Sequence, residues 1–385
     1  MSRAVPTATI DLDQSAGPTG QVRRFVDDEI APFAGDWDRA ERIPREVLDR
    51  IGELGLWAPF LPAEYGGGAM PWTALGRVHE EVGRGCSSVR SLLTVHTMVA
   101  GTVLRWGTDE QRASLLPGLA AGTTLGAFCL SEPDSGSAAD AAGTVAVADG
   151  PDWRITGTKT WITGGQVADL LLVFARTGAA MSAFLVPART PGITVTPLTG
   201  MMGTPGSMLA RIEFDSVRLP ADALVGPAGW AAGTVMTGAL DLGRFSVASG
   251  STGLIRACLD ACVDYSSRRR VKGAKLSELP LIRRKISDMV VSSRAARLLC
   301  AEAGRLKDAA EPGTIMASWV AKYHASTAAT AASADAVQIH GANGFSPDYP
   351  VARLYRDARV AEVIEGSTEL QQLTIADEAY REARR

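Results

Sequence analysis

Gly122-Thr123-Thr124-Leu125-Gly126-Ala127-Phe128-Cys129-Leu130-Ser131-Glu132-Pro133-Asp134-Ser135-Gly136-Ser137 is where the texture of the chain changes. Before it, apolar residues recur at three- and four-residue spacing over 22–33 and 45–56, and again over 75–106 with an interruption near 83–88, which predicts helices. Leu61-Pro62 and Gly66-Gly67-Gly68 read as a loop between them. After it come six short β-prone runs at 144–148, 153–156, 170–175, 183–186, 193–197 and 211–214. Gly157-Thr158 and Pro191-Gly192 stand where tight turns are expected. From about Gly233 the helical period returns over 240–265, 281–306 and 315–339. The order predicts an α+β protein in three parts: a helical part at 1–121, a small antiparallel barrel or sandwich at 122–232, and a helical bundle at 233–385.

The chain has 385 residues, 46% of them hydrophobic, enough for a substantial core in several layers. Charged residues make up 21% and are interspersed, with a net charge of −3. Neither a basic stripe for nucleic acid nor an acidic tail is present. Cys86, Cys129, Cys258, Cys262 and Cys300 form no CxxC pair, which fits a reducing compartment; the four histidines show no ligand spacing, so no metal is expected. The first residues are polar and lack an apolar leader core, and no apolar run approaches the ~18 residues needed to span a bilayer. The expectation is a cytoplasmic protein with neither a membrane nor a nucleic-acid partner.

Four clusters carry candidate chemistry. Residues 128–137 form a polar turn after an apolar strand, and its backbone N–H groups and small hydroxyls can hydrogen-bond a heterocycle or a phosphate. Trp161, between Thr160 and Thr163, could pack on a planar cofactor ring, or could be the core residue of a hairpin strand. Glu365 follows a largely apolar run and precedes Gly366. Burial would raise its pKa towards that of a useful base, while the plainer reading is a helix-end Glu before a helix capped by Ser367 or Thr368. Arg90 lies on a small, apolar helix, where it could bind an acidic group by a bidentate contact, or snorkel, or pair with an acid.

These clusters occur in one order: Leu130-Ser131-Glu132-Pro133 with Gly136-Ser137, Trp161-Ile162-Thr163, Arg269 with Gly273, Gln338-Ile339-His340-Gly341 with Asn343-Gly344, Tyr355-Arg356-Asp357-Ala358, and Glu365-Gly366. In that combination the chain resembles the acyl-CoA dehydrogenase family over nearly its whole length. The resemblance implies an N-terminal helical domain, a central β-barrel and a C-terminal four-helix bundle, with FAD as cofactor and a homo-oligomer, dimer or tetramer. It implies that Phe128, Leu130, Ser131, Trp161 and Thr163 meet the flavin, with Ser367 and Glu369 as further cofactor contacts. Arg269, Gln338 and Gly341 would hold the diphosphate and adenosine half across a dimer interface. Ser137 would lie beside the pantetheine arm, with Arg244 and Gly366 also at the substrate.

Glu365 matches the commonest base position of the family; a second lineage carries its base at the position that is Gly243 here. The implied reaction removes the α-proton of a thioester to Glu365 while a hydride leaves the β-carbon for flavin N5, with the carbonyl oxygen held by hydrogen bonds that stabilise an enolate. The pattern departs from the family at Lys272, Pro280 and Ala342, which bear on the adenosine side, and at Gly164 and Ala138. At Ile364 a Tyr is often found, so a ring is missing from the acyl pocket.

Arg90-Ser91 resembles the pair with which glutaryl-CoA dehydrogenases hold a distal carboxylate. Cys86-Ser87-Ser88, Gly243-Arg244, Ser246-Val247-Ala248 and residues 253–258 are similar to acyl-CoA-dehydrogenase-like enzymes of polyketide extender-unit pathways. That likeness implies a three-carbon polar or acidic acyl group on an acyl carrier protein, towards hydroxymalonyl or methoxymalonyl thioesters. The alternatives are a short-chain or glutaryl-like enzyme acting on CoA thioesters, a flavin monooxygenase on the same fold, and a non-catalytic relative. The electron acceptor would be an electron-transfer flavoprotein or oxygen.

Overall fold

The computed structural model describes residues 18–136 and 142–384. The N-terminal part contains α1 (Pro18–Phe25), α2 (Ala34–Ala40), α3 (Arg45–Glu53), α4 (Trp72–Gly85), α5 (Ser87–Trp106) and α6 (Asp109–Ala121). The interruption expected near 83–88 is a break at a single residue: Cys86 is extended, with φ −155° and ψ 115°. In the 22–33 segment, a π turn at Val26–Ile30 follows α1. α6 begins with a capping box in which Thr108 and Gln111 satisfy each other's backbone N–H, and it ends at left-handed Gly122.

The strands are β1 (Gly126–Cys129), β2 (Val145–Asp149), β3 (Asp152–Ile162), β4 (Leu170–Thr177), β5 (Ala180–Pro187), β6 (Ile193–Pro197), β7 (Ala210–Leu219) and β8 (Leu224–Val225). They pair in the order β6-β7-β3-β2-β4-β5-β8, with β1 alongside β4. The sheet curls: Ile212 and Phe214 of β7 share one apolar cluster with Phe184 and Val186 of β5, although three strands separate them in the pairing order. Its other face, with Leu172, Phe174 and Leu185, packs on Val99, Val103, Leu116 and Leu119 of α5 and α6.

Two features differ from the sequence expectation. Gly157-Thr158 is not a turn; it lies inside β3, where the register with β7 shifts. Gly157 has φ +152°, and a Cβ there would stand 2.5 Å from Thr144 Cα, so the bulge requires glycine. β1 pairs with β4 in parallel, Gly126 opposite Leu170, a long-range pairing that alternation of residues does not encode.

The C-terminal part is built from α7 (Thr237–Arg268), α8 (Pro280–Asp308), α9 (Thr314–His340), α10 (Val351–Val363) and α11 (Thr368–Glu382). α9 buries Ala321, Ala325, Ala329, Ala332 and Ala336, a helical stripe whose small side chains allow close packing against the neighbouring helices. Glu80 and Glu81 of α4 pair with Arg256 of α7, and Glu80 also with Arg297 of α8, which docks the N-terminal helices on the bundle. α5 also lies against α7, bringing Arg90 of α5 and Arg244 of α7 to one cavity.

Candidate active site

The three parts meet on a cavity of about 990 Å³. One wall is the loop after β1 and the end of β3, another is the N-terminal half of α5, and the third is α7 with the turn between α10 and α11. A buried ion pair joins the first two clusters read from the sequence. Lys159, on β3, donates to Leu130 O at 3.0 Å and to Glu132 at 2.7 Å, and Glu132 also accepts the N–H groups of Gly143 and Thr144. Thr160 N donates to Ser131 O at 2.9 Å. Ser131 and Trp161 are thus held side by side.

Trp161 is not a core residue. It lines the cavity, is 56% exposed, and has a left-handed backbone at φ +60°. Phe128, Leu130, Ser131 and Thr163 line the same wall, with Phe128 tilted on Phe174. An open indole, apolar neighbours, small hydroxyls and a polar turn in a cavity of this size suit a planar heterocycle with hydrogen-bonding edges.

Glu365 stands opposite, on the four-residue turn between α10 and α11. Its φ is +57° and that of Gly366 is +96°. A left-handed non-glycine residue costs roughly 1–3 kcal/mol and persists only where its surroundings enforce it. Here the enforcing groups come from three helices. Arg244 Nε donates to Glu365 O at 3.1 Å while its guanidinium lies over the Trp319 ring, 3.9 Å from the centroid. Gln371 Nε2 donates to Glu365 O and Gly366 O. Fully buried Lys322 donates to Gly366 O at 2.7 Å and to Glu362 O at 3.2 Å. Ser367 lines the cavity and caps α11, accepting from Leu370 N.

Glu365 is half-buried; its Oε2 is buried and has no hydrogen-bond partner among the described residues. Burial pushes its pKa up to about 7, against the pull of Arg244, Lys322 and Arg90. It can therefore take up and release a proton near neutral pH. Gly243 supplies the room: a Cβ there would stand 2.5 Å from Glu365 Cδ. A side chain at 243 and the carboxylate of Glu365 cannot occupy the same space, which is the physical form of the choice between two base positions.

Arg90 lies in the α5 wall, 4% exposed. It does not snorkel, and among the described residues it pairs with no acid: its side-chain hydrogen bond goes to Thr94 Oγ1 at 3.1 Å. Burial lowers its pKa to about 10, leaving it charged at neutral pH. Ser91 lines the cavity beside it and gives its hydroxyl proton to Ser87 O. Apolar Val95, Phe128 and Leu240 line the same cavity.

The Tyr355-Arg356-Asp357 stretch acts through the loop that roofs the cavity. Arg356 donates to Met202 O at 2.7 Å and pairs with Asp38, and Asp357 accepts from Thr204 N at 2.7 Å. Other expected residues lie elsewhere. Arg269, Gln338 and Gly341 are exposed and do not line the cavity. They group at the shared end of α7 and α9, where Tyr265 stacks on His340, and Gln338 is roughly 24 Å along α9 from Lys322. Lys272 and Gly273 form the left-handed tip of a hairpin there. Glu369 is exposed in the first turn of α11. Ser137 and Ala138 fall outside the described residues. Lys159, Lys322, Gln371 and Trp319 escaped the sequence reading, because nothing local distinguishes a site-facing residue of a strand or a helix.

Two helical parts and a curled sheet thus close on a cavity that holds a carboxyl group with a raised pKa. The chain belongs to the acyl-CoA dehydrogenase family, an FAD-dependent family: the models of its N-terminal, middle and C-terminal domains match residues 19–123, 127–217 and 229–380. It is 39% identical over 360 residues to the mitochondrial short-chain specific acyl-CoA dehydrogenase of Bos taurus, covering 92% of this chain and 87% of that protein. A solved glutaryl-CoA dehydrogenase in complex with glutaryl-CoA superposes with a TM-score of 0.89 at 35% identity, covering 93% of each chain. FkbI, solved as an enzyme for biosynthesis of the methoxymalonyl extender unit of a polyketide, has a TM-score of 0.87 at 32% identity, covering 95% of this chain and 99% of its own.

Proposed function

We propose that this dehydrogenase removes an α-proton and a β-hydride from a short, polar or acidic three-carbon acyl thioester on an acyl carrier protein, in the making of a hydroxymalonyl or methoxymalonyl extender unit. The observation that carries the reading is Arg90, a buried, charged guanidinium that forms no ion pair among the described residues, in the cavity that holds Glu365. A cavity for a hydrocarbon chain has no use for such a group, because an unpaired buried charge is costly. The likeness to FkbI and to glutaryl-CoA dehydrogenase supports it.

Phe128, Leu130, Ser131, Trp161 and Thr163, which line one wall, would hold FAD, which would supply the hydride acceptor. Glu365 is the base: its carboxylate takes the α-proton, and its raised pKa matches proton transfer at neutral pH. Arg244, Gln371 and Lys322 hold the turn so that the carboxylate faces the cavity. Arg90, with Ser91 beside it, donates to the distal oxygen of the acyl group, which fixes Cα at the base.

Anaerobic titration of the holoenzyme with three-carbon hydroxyacyl and semialdehyde thioesters, on CoA and on carrier protein, tests the reading by loss of flavin absorbance. Bleaching with the carrier-bound oxygenated groups is the expected result. Bleaching by butyryl-CoA alone would overturn the substrate and leave a short-chain acyl-CoA dehydrogenase.

A further inference from the structure

Arg90 needs an explanation for how it stays in place. A buried guanidinium is usually fixed by a carboxylate, yet among the described residues Arg90 forms no ion pair. A chain of uncharged groups holds it instead. Arg90 Nη1 donates to Thr94 Oγ1 at 3.1 Å, Thr94 Oγ1 lies 2.6 Å from Ser246 Oγ, and Ser246 Oγ lies 2.7 Å from His79 Nδ1. All four residues are buried, and they come from α4, α5 and α7. α7 also makes room for the stem of Arg90, since a Cβ at Gly250 would stand 2.7 Å from Arg90 Cδ.

A guanidinium only donates, so Thr94 Oγ1 must accept from it; the single hydroxyl proton of Thr94 goes to Arg90 O or to Ser246, and the tautomer of His79 sets the direction of the remaining links. Burial, and then the charge of Arg90, drive the pKa of His79 down to about 3, so the ring is neutral. In either tautomer the chain contains no anion. An Asp or Glu in the same place would fix Arg90 equally well, but would neutralise it.

We propose that His79, Ser246 and Thr94 form an uncharged relay that positions Arg90 without neutralising it, so that the acyl pocket selects an acyl group ending in an oxygen acceptor over a hydrocarbon one. This rests on the substrate reading above and adds the residues that set it. The three are positioning residues, acting through Arg90. The sequence gives no hint of them as a set, because His79 and Ser246 are 167 positions apart.

The test compares dissociation constants of glutaryl-CoA, a three-carbon semialdehyde thioester and butyryl-CoA on the FAD-loaded protein, read by perturbation of the flavin spectrum. The preference for oxygenated over butyryl thioester falls about tenfold in Ser246→Ala and Thr94→Val, the effect of losing a hydrogen bond to a charged group. It falls about a hundredfold in Ser246→Asp, where an internal carboxylate takes the place of the ligand. Thr94→Ser restores it. Equal weakening of all thioesters in Thr94→Val and Ser246→Ala would reduce the relay to a structural element and overturn the proposal. Wild-type selectivity that survives in every relay variant would overturn the relay alone. A wild-type protein without any preference would overturn the substrate reading, and the relay with it.

Discussion

At one corner of the cavity Glu365 sits on a turn that the backbone resists, with two consecutive positive φ angles. At the other, Arg90 sits on an unbroken helix in an ordinary conformation. The carboxylate is clamped by cations that contact its turn's carbonyls and pull on its charge. The guanidinium is held only by neutral groups. The first corner has a group poised between two protonation states; the second has a fixed charge that no carboxylate of the described residues contacts within ion-pair distance, although Asp357 and Glu365 act on it from further away. Tuning a base requires opposing forces close to balance, whereas anchoring a substrate requires a charge left unspent.

Changes at the two corners are therefore expected to separate chemistry from affinity. The largest effect is expected for Glu365→Gln: flavin reduction in stopped flow slows about 10²–10⁴-fold while thioester binding persists. Next is Gly243→Ala. Its Cβ would lie 2.5 Å from Glu365 Cδ on a helix that cannot retreat, and displacement of the base by about 1 Å costs on the order of 10²-fold in kcat. Arg90→Ala belongs to the other corner. It raises KM for an oxygenated thioester about 10–100-fold, with a smaller effect on kcat, as expected for loss of a hydrogen bond to a charged group. A fall in kcat equal to the rise in KM would break the comparison, since both corners would then serve the chemistry.

The smallest effects concern pH. Lys322→Met removes a cation that lowers the Glu365 pKa, so the acid limb of the kcat/KM profile, near pH 7 in the wild type, moves to higher pH. Lys322→Arg keeps the charge and should hold the limb in place. The stability of the FAD-free protein follows the same logic. The Glu365 pKa is raised on folding, so the folded state holds that proton more tightly than the unfolded chain, and stability falls as pH rises from about 4.5 to about 7. Glu365→Gln abolishes that dependence, and its melting temperature exceeds that of the wild type at pH 8 but not at pH 4.

Much of this was legible along the chain, because helices and strands announce themselves by period. The break at Cys86, the six β-prone runs and the long C-terminal helices all appear where apolar spacing put them. Glu365-Gly366 stood out as a carboxylate before a glycine, and the motif order pointed to the family. Gly157 misled, because a glycine in a β-prone stretch reads equally as a turn or a bulge, and only pairing with β7 decides. Trp161 stayed ambiguous for a similar reason: a tryptophan on a strand faces the core or a cavity depending on the register beyond it.

What the sequence determined by itself is the local material: where most helices and strands form, and which ionisable groups lie among apolar neighbours. Tertiary structure decided what those groups became. It brought Lys322 to Gly366 across 44 positions and Ser246 to Thr94 across 152, and it paired β1 with β4. It set the pKa of Glu365 near 7, since desolvation and Coulomb forces depend on what is packed within a few ångströms in space, and periodicity along the chain carries no record of that distance.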